Sequence, residues 1–491
     1  MDVFGALSKQ GAMIDRVVSD SRRVAPGAAF LAYPGEAADG RRHIADALAR
    51  GAAAVVWESE GFEWDTAWKV PNAGVKGLKQ HAGELAHEFF GRPSEALWVC
   101  GVTGTNGKTS CSQWIAAALS ARGEECGVIG TIGARLRDTS VDVGNTTPDA
   151  LELHRLLAEF LQEGAKAVAM EVSSHGLVQG RVNGVQFDCA LFTNLTHDHL
   201  DFHGTMQAYA AAKAQLFEFA SLESAVVNLD DPVGVKFAKR LKERGVPTTG
   251  YSLSLEGLEE GSVARFIAAR GIQVGSEATR VDLATSWGEH QVTLPQLGRF
   301  NVSNILGVLG CLLAHGQDMD SALASISSLP DVPGRMQRLG GSGRPIAVVD
   351  YAHTPDALEK VLVALRPVAE AAGGELIAVF GAGGNRDATK RARMGEIASR
   401  LADRVVITSD NPRNEDPAKI IEAIRAGVSS GHDVEPDRAK AIAGAIRNAK
   451  ASDVVLIAGK GHETYQEIAG KRHPFSDVVV AEQSIAAWSQ R

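Results

Sequence analysis

Five residues that can bind metals or carry protons crowd into one short segment, "THDHLDFHG" (196–204). The five are His197, Asp198, His199, Asp201 and His203. Imidazole and carboxylate groups at this density occur in transition-metal sites and acid–base clusters, and also in polar loops that have no catalytic or binding role. The segment alone does not separate these three alternatives, so the surrounding sequence must decide between them.

A second segment, "GVTGTNGKTS" (101–110), is typical of a phosphate-binding loop. It follows the apolar run "LWVC" and opens a helical stretch, so backbone N–H groups and a helix N-terminus would meet an anion there. In such a loop Lys108 reaches the outer phosphates and Thr109 offers its hydroxyl to Mg²⁺. The strict pattern GxxxxGK[ST] is not met, because Val102 occupies the first glycine position. A glycine-rich turn that binds nothing is the alternative.

Three further segments each allow a functional and a structural interpretation. Glu171 in "MEVSSHG" ends a buried run. A carboxylate there either has a structural role, with its hydrogen bonds made within the protein, or holds Mg²⁺ beside a phosphate loop. Lys213 lies in the helical stretch "MQAYAAAKAQLFEFA", where a solvated lysine is the simpler interpretation. In "FGAGGNRD" Arg386 replaces the third glycine of a dinucleotide fingerprint, which favours contact with an anionic substrate.

Two late segments, "SDNPRNEDP" (409–417) and "GKGHETYQ" (459–466), follow strong strand patterns. Each is a turn at a strand end, and its charged residues fit either a binding site or an exposed surface. The residues alone favour the exposed surface for Arg413 and leave Glu463 undecided.

The element that positions these residues is a repeated unit of a short β-branched run followed by a helical pattern. Continuous apolar runs of this kind predict parallel strands covered on both faces, and therefore an α/β fold. Ligands of open parallel sheets collect at the carboxyl ends of the strands. Those predicted ends carry Thr103, Glu171, Ser173, Asn194, Asp350, Asp410 and Gly459.

Two clusters of such units, preceded by a region of weaker strand signals, predict three domains. The predicted domains are 1–97, 98–332 and 333–491, and the Gly- and Pro-rich segment 329–345 is a plausible hinge. A chain of 491 residues is long enough for about three hydrophobic cores.

The bulk composition excludes several classes of protein. A formal charge of −9 leaves no broad basic surface for a nucleic-acid backbone. No apolar run approaches the roughly 18 residues that span a bilayer, and the start of the sequence lacks an export signal. The five cysteines form no CxxC pair, which favours reduced, buried thiols. They are Cys100, Cys111, Cys126, Cys189 and Cys311. We expect a cytoplasmic protein without membrane or nucleic-acid partners.

Several motifs, in their order along the chain, resemble those of the Mur ligases of peptidoglycan synthesis. They are "GTNGKT", "EVSSHGL", "TNLTHDHLDFHG", "AAAKAQLF", "GRFNVSN", "PGRMQ", "DYAHTPDAL" and "DNPR". The resemblance covers essentially the whole chain, including "DSRRVAPGAAF" (20–30), and is strongest to members that add the third amino acid. It implies a small N-terminal UDP-binding α/β domain, a central P-loop ATPase-like domain with a parallel sheet, and a C-terminal Rossmann-like domain.

The resemblance also implies a reaction. ATP would drive addition of meso-2,6-diaminopimelate to the D-Glu carboxylate of UDP-MurNAc-L-Ala-D-Glu through an acyl phosphate, in a monomeric enzyme. The alternatives are a related ligase that adds L-lysine and a ligase similar to folylpolyglutamate synthase. From other classes, a phosphate-loop switch protein or a nucleic-acid motor would bind nucleotide without an acid substrate.

By resemblance, the catalytic group is Lys108, Glu171, His199 and Lys213. Two Mg²⁺ ions would be held by Thr109, Glu171, His199 and a carbamate that CO₂ forms on Lys213, which replaces the transition-metal interpretation of the opening segment. Residues from two domains would contact ATP across a cleft that closes. These are Gly104, Thr105, Asn106, Gly107, Lys108, Thr109, Ser110, Asn301, Arg335 and Asp350.

The same resemblance assigns the other two substrates. The UDP-MurNAc-dipeptide would contact Ser19, Ser21, Asn145, Thr146, Thr147, Ser173, Gln179 and Arg181. Diaminopimelate would contact Arg386, Asp410, Asn411, Pro412, Arg413, Gly459 and Glu463. We expect the guanidinium of Arg413 to bind the distal carboxylate through two parallel hydrogen bonds and Glu463 to face an ammonium group.

Overall fold

The computed structural model describes residues 2–36, 38–256, 261–429 and 431–489. The chain divides into two compact units. Unit one comprises residues 1–250, 260–264 and 310–317, and unit two comprises 251–259, 265–309 and 318–491. Each unit contains parallel strands covered by helices, so the predicted α/β fold is confirmed. The predicted domain boundaries at 97/98 and 332/333 remain predictions.

Unit one begins with a four-stranded parallel sheet in the order β1-β2-β3-β4. Strand β2 is buried along its whole length, and α3 covers the sheet with Leu78, Ala82, Leu85 and Ala86. The bounds are α1 Val3–Lys9, β1 Arg16–Val18, β2 Ala28–Ala32, α2 Ile44–Ala49, β3 Ala54–Glu58, β4 Asn72–Val75 and α3 Leu78–Phe89.

The second sheet of unit one contains the phosphate loop. Strands β11-β10-β5-β9-β6 are parallel, and β7 and β8 continue the sheet in antiparallel pairing. Every residue of β6, β9 and β10 is buried, which explains their unbroken apolar sequences. The bounds are β5 Trp98–Thr103, α4 Lys108–Ser120, β6 Cys126–Gly130, β7 Gly133–Leu136, β8 Thr139–Val141, α5 Ala150–Gln162, β9 Ala167–Glu171, α6 Ser174–Val178, β10 Cys189–Phe192, α7 Leu200–His203, α8 Met206–Ala214, β11 Ser224–Asn228, α9 Pro232–Glu243 and β12 Thr248–Ser252.

Unit two contains an antiparallel group that the sequence did not predict. Strands β13, β14 and β15 pair as consecutive hairpins. Their sequences mix exposed and buried positions and lack the long β-branched runs on which the prediction rested. The bounds are β13 Arg265–Val274, β14 Thr279–Thr285 and β15 Gly288–Leu294, followed by α10 Arg299–Ala314 and α11 Met319–Ser327.

The last sheet has the order β16-β17-β21-β18-β19-β20, and all its pairs except β16–β17 are parallel. Strands β17, β18 and β21 are buried along their whole length, and helices pack on both faces through two separate apolar clusters. The bounds are β16 Gln337–Gly340, β17 Ile346–Asp350, α12 Pro355–Ala372, β18 Leu376–Phe380, α13 Lys390–Leu401, β19 Arg404–Ile407, α14 Pro417–Arg425, β20 His432–Val434, α15 Arg438–Arg447, β21 Val454–Ala458, β22 Tyr465–Ile468, β23 Lys471–Pro474 and α16 Asp477–Ala486.

Across the described residues, no helix combines the length and the apolar character needed to cross a bilayer.

Candidate active site

The phosphate loop connects β5 to α4 through residues 104–107, and two of its glycines have positive φ angles. Gly104 has φ 155° and Gly107 has φ 88°. A Cβ atom on Gly104 would lie 1.8 Å from Thr193 Oγ1, so no side chain fits there. Val102 is a buried residue of β5 in register with Glu171. The first glycine of the strict pattern is therefore a strand position here, which explains why its absence leaves the loop intact.

The loop is fixed to the segment that follows β10. The N–H of Thr105 donates to Asn194 O at 2.8 Å, and the N–H of Asn106 donates to Asn194 Oδ1 at 3.1 Å. The Thr193 hydroxyl donates to Asn106 O at 2.6 Å. The same segment runs on into residues 196–204, so the cluster of histidines and aspartates begins next to the loop.

Two lysines meet at one carbonyl group of the loop. Lys108 Nζ donates to Gly104 O at 2.8 Å and to Thr105 O at 2.9 Å, and Lys213 Nζ donates to Gly104 O at 2.8 Å. Lys213 is 1% exposed, so the solvated-lysine interpretation is wrong. Burial, and then the charge of Lys108, lower the pKa of the Lys213 amine well below its usual value. The structure thus favours the neutral amine at this position.

Glu171, at the end of β9, gathers hydroxyl and amide donors. Its carboxylate accepts from Thr109 Oγ1 at 3.1 Å, from the N–H of Thr131 at 2.7 Å and from Thr131 Oγ1 at 3.1 Å. Carboxylate and hydroxyl oxygens are the ligands that Mg²⁺ prefers, so Thr109 and Glu171 fit the predicted metal site. Thr131 was missed by the sequence analysis; it directly follows β6, the strand that pairs with β9.

Two histidines of the opening segment, His199 and His203, form an aromatic cluster with His175. The His175 ring lies 4.9 Å from that of His199 and 5.4 Å from that of His203, and the His203 ring stacks on Tyr209 at 5.0 Å. Burial lowers the pKa of all three imidazoles. They are therefore neutral near pH 7, the form in which an imidazole can bind a metal.

His199 itself has an unusual backbone and is partly exposed. Its φ angle of 52° places it in the left-handed region, and its Nε2 lies 3.5 Å from Asp198 Oδ2. Its pKa responds to the charges of Asp198, Lys108 and Lys213, so His199 lies within electrostatic reach of both lysines. His203 has a different role, since its Nε2 lies 2.9 Å from Ser174 Oγ.

Four of the predicted dipeptide contacts form a hydrogen-bonded group near Glu171. The Thr147 hydroxyl lies 2.9 Å from Glu171 O and 3.1 Å from Ser173 Oγ, and Arg181 Nη1 donates to Thr147 O at 2.8 Å. Thr146 Oγ1 lies 3.1 Å from the Thr131 hydroxyl. These residues form one polar surface beside the phosphate loop.

The remaining predicted dipeptide contacts are more scattered. Gln179 Nε2 donates to the carboxylate of Glu36, and Asn145 is exposed. Ser19 lines a cavity of about 1190 Å³, together with Asp20, Arg23, Asp149 and Arg155 among others. Ser21 begins a short 3₁₀ turn whose first N–H groups are capped by Asp20.

Unit two holds three predicted ATP contacts. Asn301 is buried and donates to Leu297 O at 2.8 Å. The guanidinium of Arg335 lies over the Tyr351 ring at 4.7 Å. The Asp350 carboxylate accepts from the N–H groups of Met336 and Ala352, both at 2.8 Å, and burial raises its pKa, while Arg335 opposes that rise.

The ends of β19 and β21 bring together a second group of polar residues, here called the amino-acid cluster. It consists of Asp410, Asn411, Arg413, Lys460 and Glu463. Lys460 Nζ donates to Asn411 Oδ1 at 2.9 Å and to Glu463 Oε2 at 2.7 Å, and Asn411 Nδ2 donates to Glu463 Oε2 at 2.8 Å. Lys460 is fully buried and was missed by the sequence analysis, because "GKG" resembles an ordinary strand-end turn.

Arg413 lies at the edge of this cluster. Its φ angle is 52°, its Nη1 donates to Gly384 O at 2.8 Å, and its Nε lies 3.5 Å from Glu467 Oε2. Glycine is required at 459, with φ 122°, because a Cβ atom there would lie 2.5 Å from Asp410 Oδ2. The cluster is thus a closely packed set of charges at strand ends.

Two other predicted residues lie around Arg413. Pro412 is buried, and its carbonyl packs against Gly384. Arg386 is exposed on the neighbouring loop.

Comparisons with known proteins identify the family of the chain. Three family models match the chain: the Mur ligase family catalytic domain at residues 13–90, the Mur ligase middle domain at 102–312 and the Mur ligase glutamate ligase domain at 334–461. Each match falls within one of the three predicted domains.

Two relatives and one solved structure are named UDP-N-acetylmuramoyl-L-alanyl-D-glutamate–2,6-diaminopimelate ligase. The relative from Janthinobacterium sp. (strain Marseille) is 50% identical, over 94% of this chain and 92% of its own. The relative from Pseudomonas aeruginosa is 50% identical, over 97% of this chain and 96% of its own. The solved structure is 38% identical with a TM-score of 0.72, and covers 96% of this chain and 95% of that chain. The chain belongs to the Mur ligase family.

Proposed function

We propose that this chain is an ATP-dependent, ADP-forming ligase that joins meso-2,6-diaminopimelate to the D-Glu carboxylate of UDP-MurNAc-L-Ala-D-Glu. The observation that carries the proposal is the meeting of Lys108 and Lys213 at Gly104 O, in the same loop that places Thr109 against Glu171. The printed names of relatives about 50% identical over nearly the whole chain support the choice of substrates.

The first step transfers the γ-phosphoryl group of ATP to the D-Glu carboxylate, which gives an acyl phosphate and ADP. Its difficulty is charge, because a carboxylate must approach a polyphosphate. The loop N–H groups and the Lys108 ammonium supply fixed positive charge where the transition state gains negative charge. Bound Mg²⁺ supplies Lewis-acid stabilisation of the same charge, and Thr109 and Glu171 are the residues that would hold it.

Lys213 is proposed to act as a carbamate. A neutral amine attacks CO₂, a nitrogen–carbon bond forms and one proton leaves to solvent, so a neutral group becomes an anion with two oxygen atoms. Burial favours the neutral amine that this reaction needs. The product would place carboxylate-like oxygens beside Lys108 and His199, where a second Mg²⁺ is proposed.

In the second step the amine of diaminopimelate attacks the acyl-phosphate carbonyl, the amide bond forms and phosphate leaves. The amino-acid cluster supports selection of the incoming substrate. Arg413 is the proposed contact for the distal carboxylate, which L-lysine lacks, and Glu463 for an ammonium group. Binding L-lysine would leave the guanidinium of Arg413 partly desolvated, with no substrate carboxylate to pair with it.

The deciding experiment measures phosphate release from ATP with UDP-MurNAc-L-Ala-D-Glu, with meso-diaminopimelate and L-lysine offered in parallel. We expect release that needs both the UDP substrate and diaminopimelate, with little turnover of lysine. Equal turnover of the two amino acids would support the L-lysine ligase instead. Nucleotide hydrolysis or binding that is indifferent to the UDP substrate would support a phosphate-loop switch protein.

A further inference from the structure

Three cysteine side chains from separate elements meet in the core of unit one. Cys100 on β5 and Cys189 on β10 are register partners in adjacent parallel strands. Partners of this kind point to the same face of a sheet. Cys311 on α10 reaches that face, and its Sγ lies 3.9 Å from Cys100 Sγ. All three side chains are buried, and their sulfur atoms all lie within 4.8 Å of one another.

The spacing of the three sulfurs fits a bound ion. An ion at the centre of an equilateral triangle with sides of 3.9 Å lies about 2.3 Å from each corner, the usual length of a zinc–thiolate bond, about 2.3 Å. If every pair lay at the 4.8 Å limit, the distance would be about 2.8 Å, and each sulfur would need to move inward by about half an ångström. A small rotation of each Cα–Cβ bond is enough for that movement.

The chemistry of the ligands selects the type of ion. Thiolates are soft ligands that favour Cu(I) and Zn²⁺ over Mg²⁺. Zinc held by three protein ligands takes a water or a substrate as its fourth ligand, whereas Cys100, Cys189 and Cys311 are all fully buried. We propose that Cys100, Cys189 and Cys311 form a three-sulfur site for a soft cation, Cu(I), which is separate from the proposed Mg²⁺ sites.

His315 directly follows α10, the helix that carries Cys311. His315 follows Cys311 by one helical turn, and its N–H donates to Cys311 O at 2.9 Å. Its ring packs on Trp98 at 4.4 Å, its Nε2 lies 2.6 Å from Glu124 Oε2, and its side chain is 17% exposed. The contact of His315 with Trp98, a residue of β5, joins the end of α10 to the strand that carries Cys100.

The sulfur atoms also influence each other's protonation. Hydrogen bonds from Cys100 and then Cys311 lower the pKa of Cys189, and the charge of His315 acts in the same direction. Burial raises the pKa of Cys311.

The simpler interpretation is that these are ordinary core cysteines, since free cysteine is among the most buried residue types. The chain offers a matched control for that interpretation. Cys126 on β6 is also buried, with its sulfur 3.5 Å from Gly127 O, and it does not belong to the three-sulfur group.

The test titrates the reduced, full-length protein with Cu(I) buffered by bicinchoninate. We expect one Cu(I) per chain and, by X-ray absorption, three sulfur neighbours at about 2.3 Å. Cys189→Ala and Cys311→Ala should each weaken Cu(I) binding by more than about 100-fold, since loss of an outer-shell partner alone costs about 10- to 100-fold. Cys126→Ala should bind as the unchanged protein does.

Several results would overturn the proposal. They are a failure of the unchanged protein to compete with bicinchoninate, fewer than three sulfur neighbours, and equal weakening by Cys126→Ala. Tighter binding of Zn²⁺ with a nitrogen or oxygen fourth ligand would also overturn the assignment to Cu(I). The sulfur count on the unchanged protein gives a decision even if a cysteine variant does not fold.

Discussion

The phosphate loop of unit one and the amino-acid cluster of unit two both lie at carboxyl ends of parallel strands, but their charges are balanced differently. In the loop, Lys108 and Lys213 donate to a neutral backbone carbonyl. In the cluster, Lys460 pairs with the carboxylate of Glu463, and Arg413 lies near that of Glu467. A phosphate can therefore replace weak partners in the loop, whereas a substrate carboxylate must compete with an existing one in the cluster.

This difference predicts larger losses from changes in the loop than from changes in the cluster, and the largest loss is expected at Lys108. Lys108→Ala should fold but lower kcat by about 1,000-fold or more, because loss of one preorganised donor alone costs about 100- to 1,000-fold. Steady-state phosphate release measures this effect, and Lys239→Ala, on the exposed face of α9, is the control. Near-normal turnover by a folded Lys108→Ala protein would remove the loop from the proposed mechanism.

The second-largest effect is expected at Lys213. Lys213→Ala should lose about 100- to 1,000-fold in rate, since it removes the proposed anionic oxygens that would help to hold Mg²⁺ at the transition state. Formate should restore part of the activity by occupying the vacated oxygen position, and intact-mass analysis of the unchanged protein at ambient CO₂ should show the carbamate. An active enzyme with an unmodified amine would contradict this account.

A smaller effect is expected at Arg413 in the amino-acid cluster. Losing a buried charged partner costs about 2 to 5 kcal/mol, and the lower end, about 30-fold, applies because Arg413 is 24% exposed and already lies near Glu467. Arg413→Ala should lower kcat/KM for diaminopimelate by that factor and leave the KM for ATP unchanged. Arg425→Ala, on α14, is the control. A loss of activity as large as that of Lys108→Ala would contradict the prediction that changes in the cluster cost less than changes in the loop.

The smallest effect is expected at Thr131, which supports Glu171 without touching the loop. Thr131→Val keeps the N–H bond to Glu171 but removes the hydroxyl bond at 3.1 Å. The Mg²⁺ concentration for half-maximal rate should rise by about 10-fold, as for loss of an outer-shell partner. Thr139→Val, exposed on β8, provides the comparison. An unchanged Mg²⁺ requirement would show that Thr131 does not position the carboxylate.

The loop could be predicted from the sequence more completely than the amino-acid cluster. The loop depends on backbone conformation, and the glycines at 104 and 107 together with Lys108 and Thr109 mark that conformation in the sequence. The parallel strands were predictable because their buried residues form unbroken apolar runs. Lys460 and Thr131 were missed because their roles depend on partners 49 and 40 residues away, which no local pattern contains.

Lys213 and the antiparallel strands were also mispredicted or missed because their structure depends on contacts that the local sequence does not show. The helical pattern around Lys213 suggested an exposed side chain, and only the packing of α8 against the loop buries it. Strands β13 to β15 have mixed faces, so their pairing with one another defines them better than their composition does.

One buried ion pair affects the order in which parts of unit two become rigid during synthesis. Arg438 binds Asp477 through Nε and Nη2, both at 2.7 Å, and also donates to Ser409 O at 3.2 Å and Ala458 O at 2.9 Å. The arginine thus fastens the strand ends that precede Asp410 and Gly459. Its partner is translated 39 residues after it. Arg438 lacks this partner until Asp477 has been made, so we expect the amino-acid cluster to become rigid only after α16 has packed against α15.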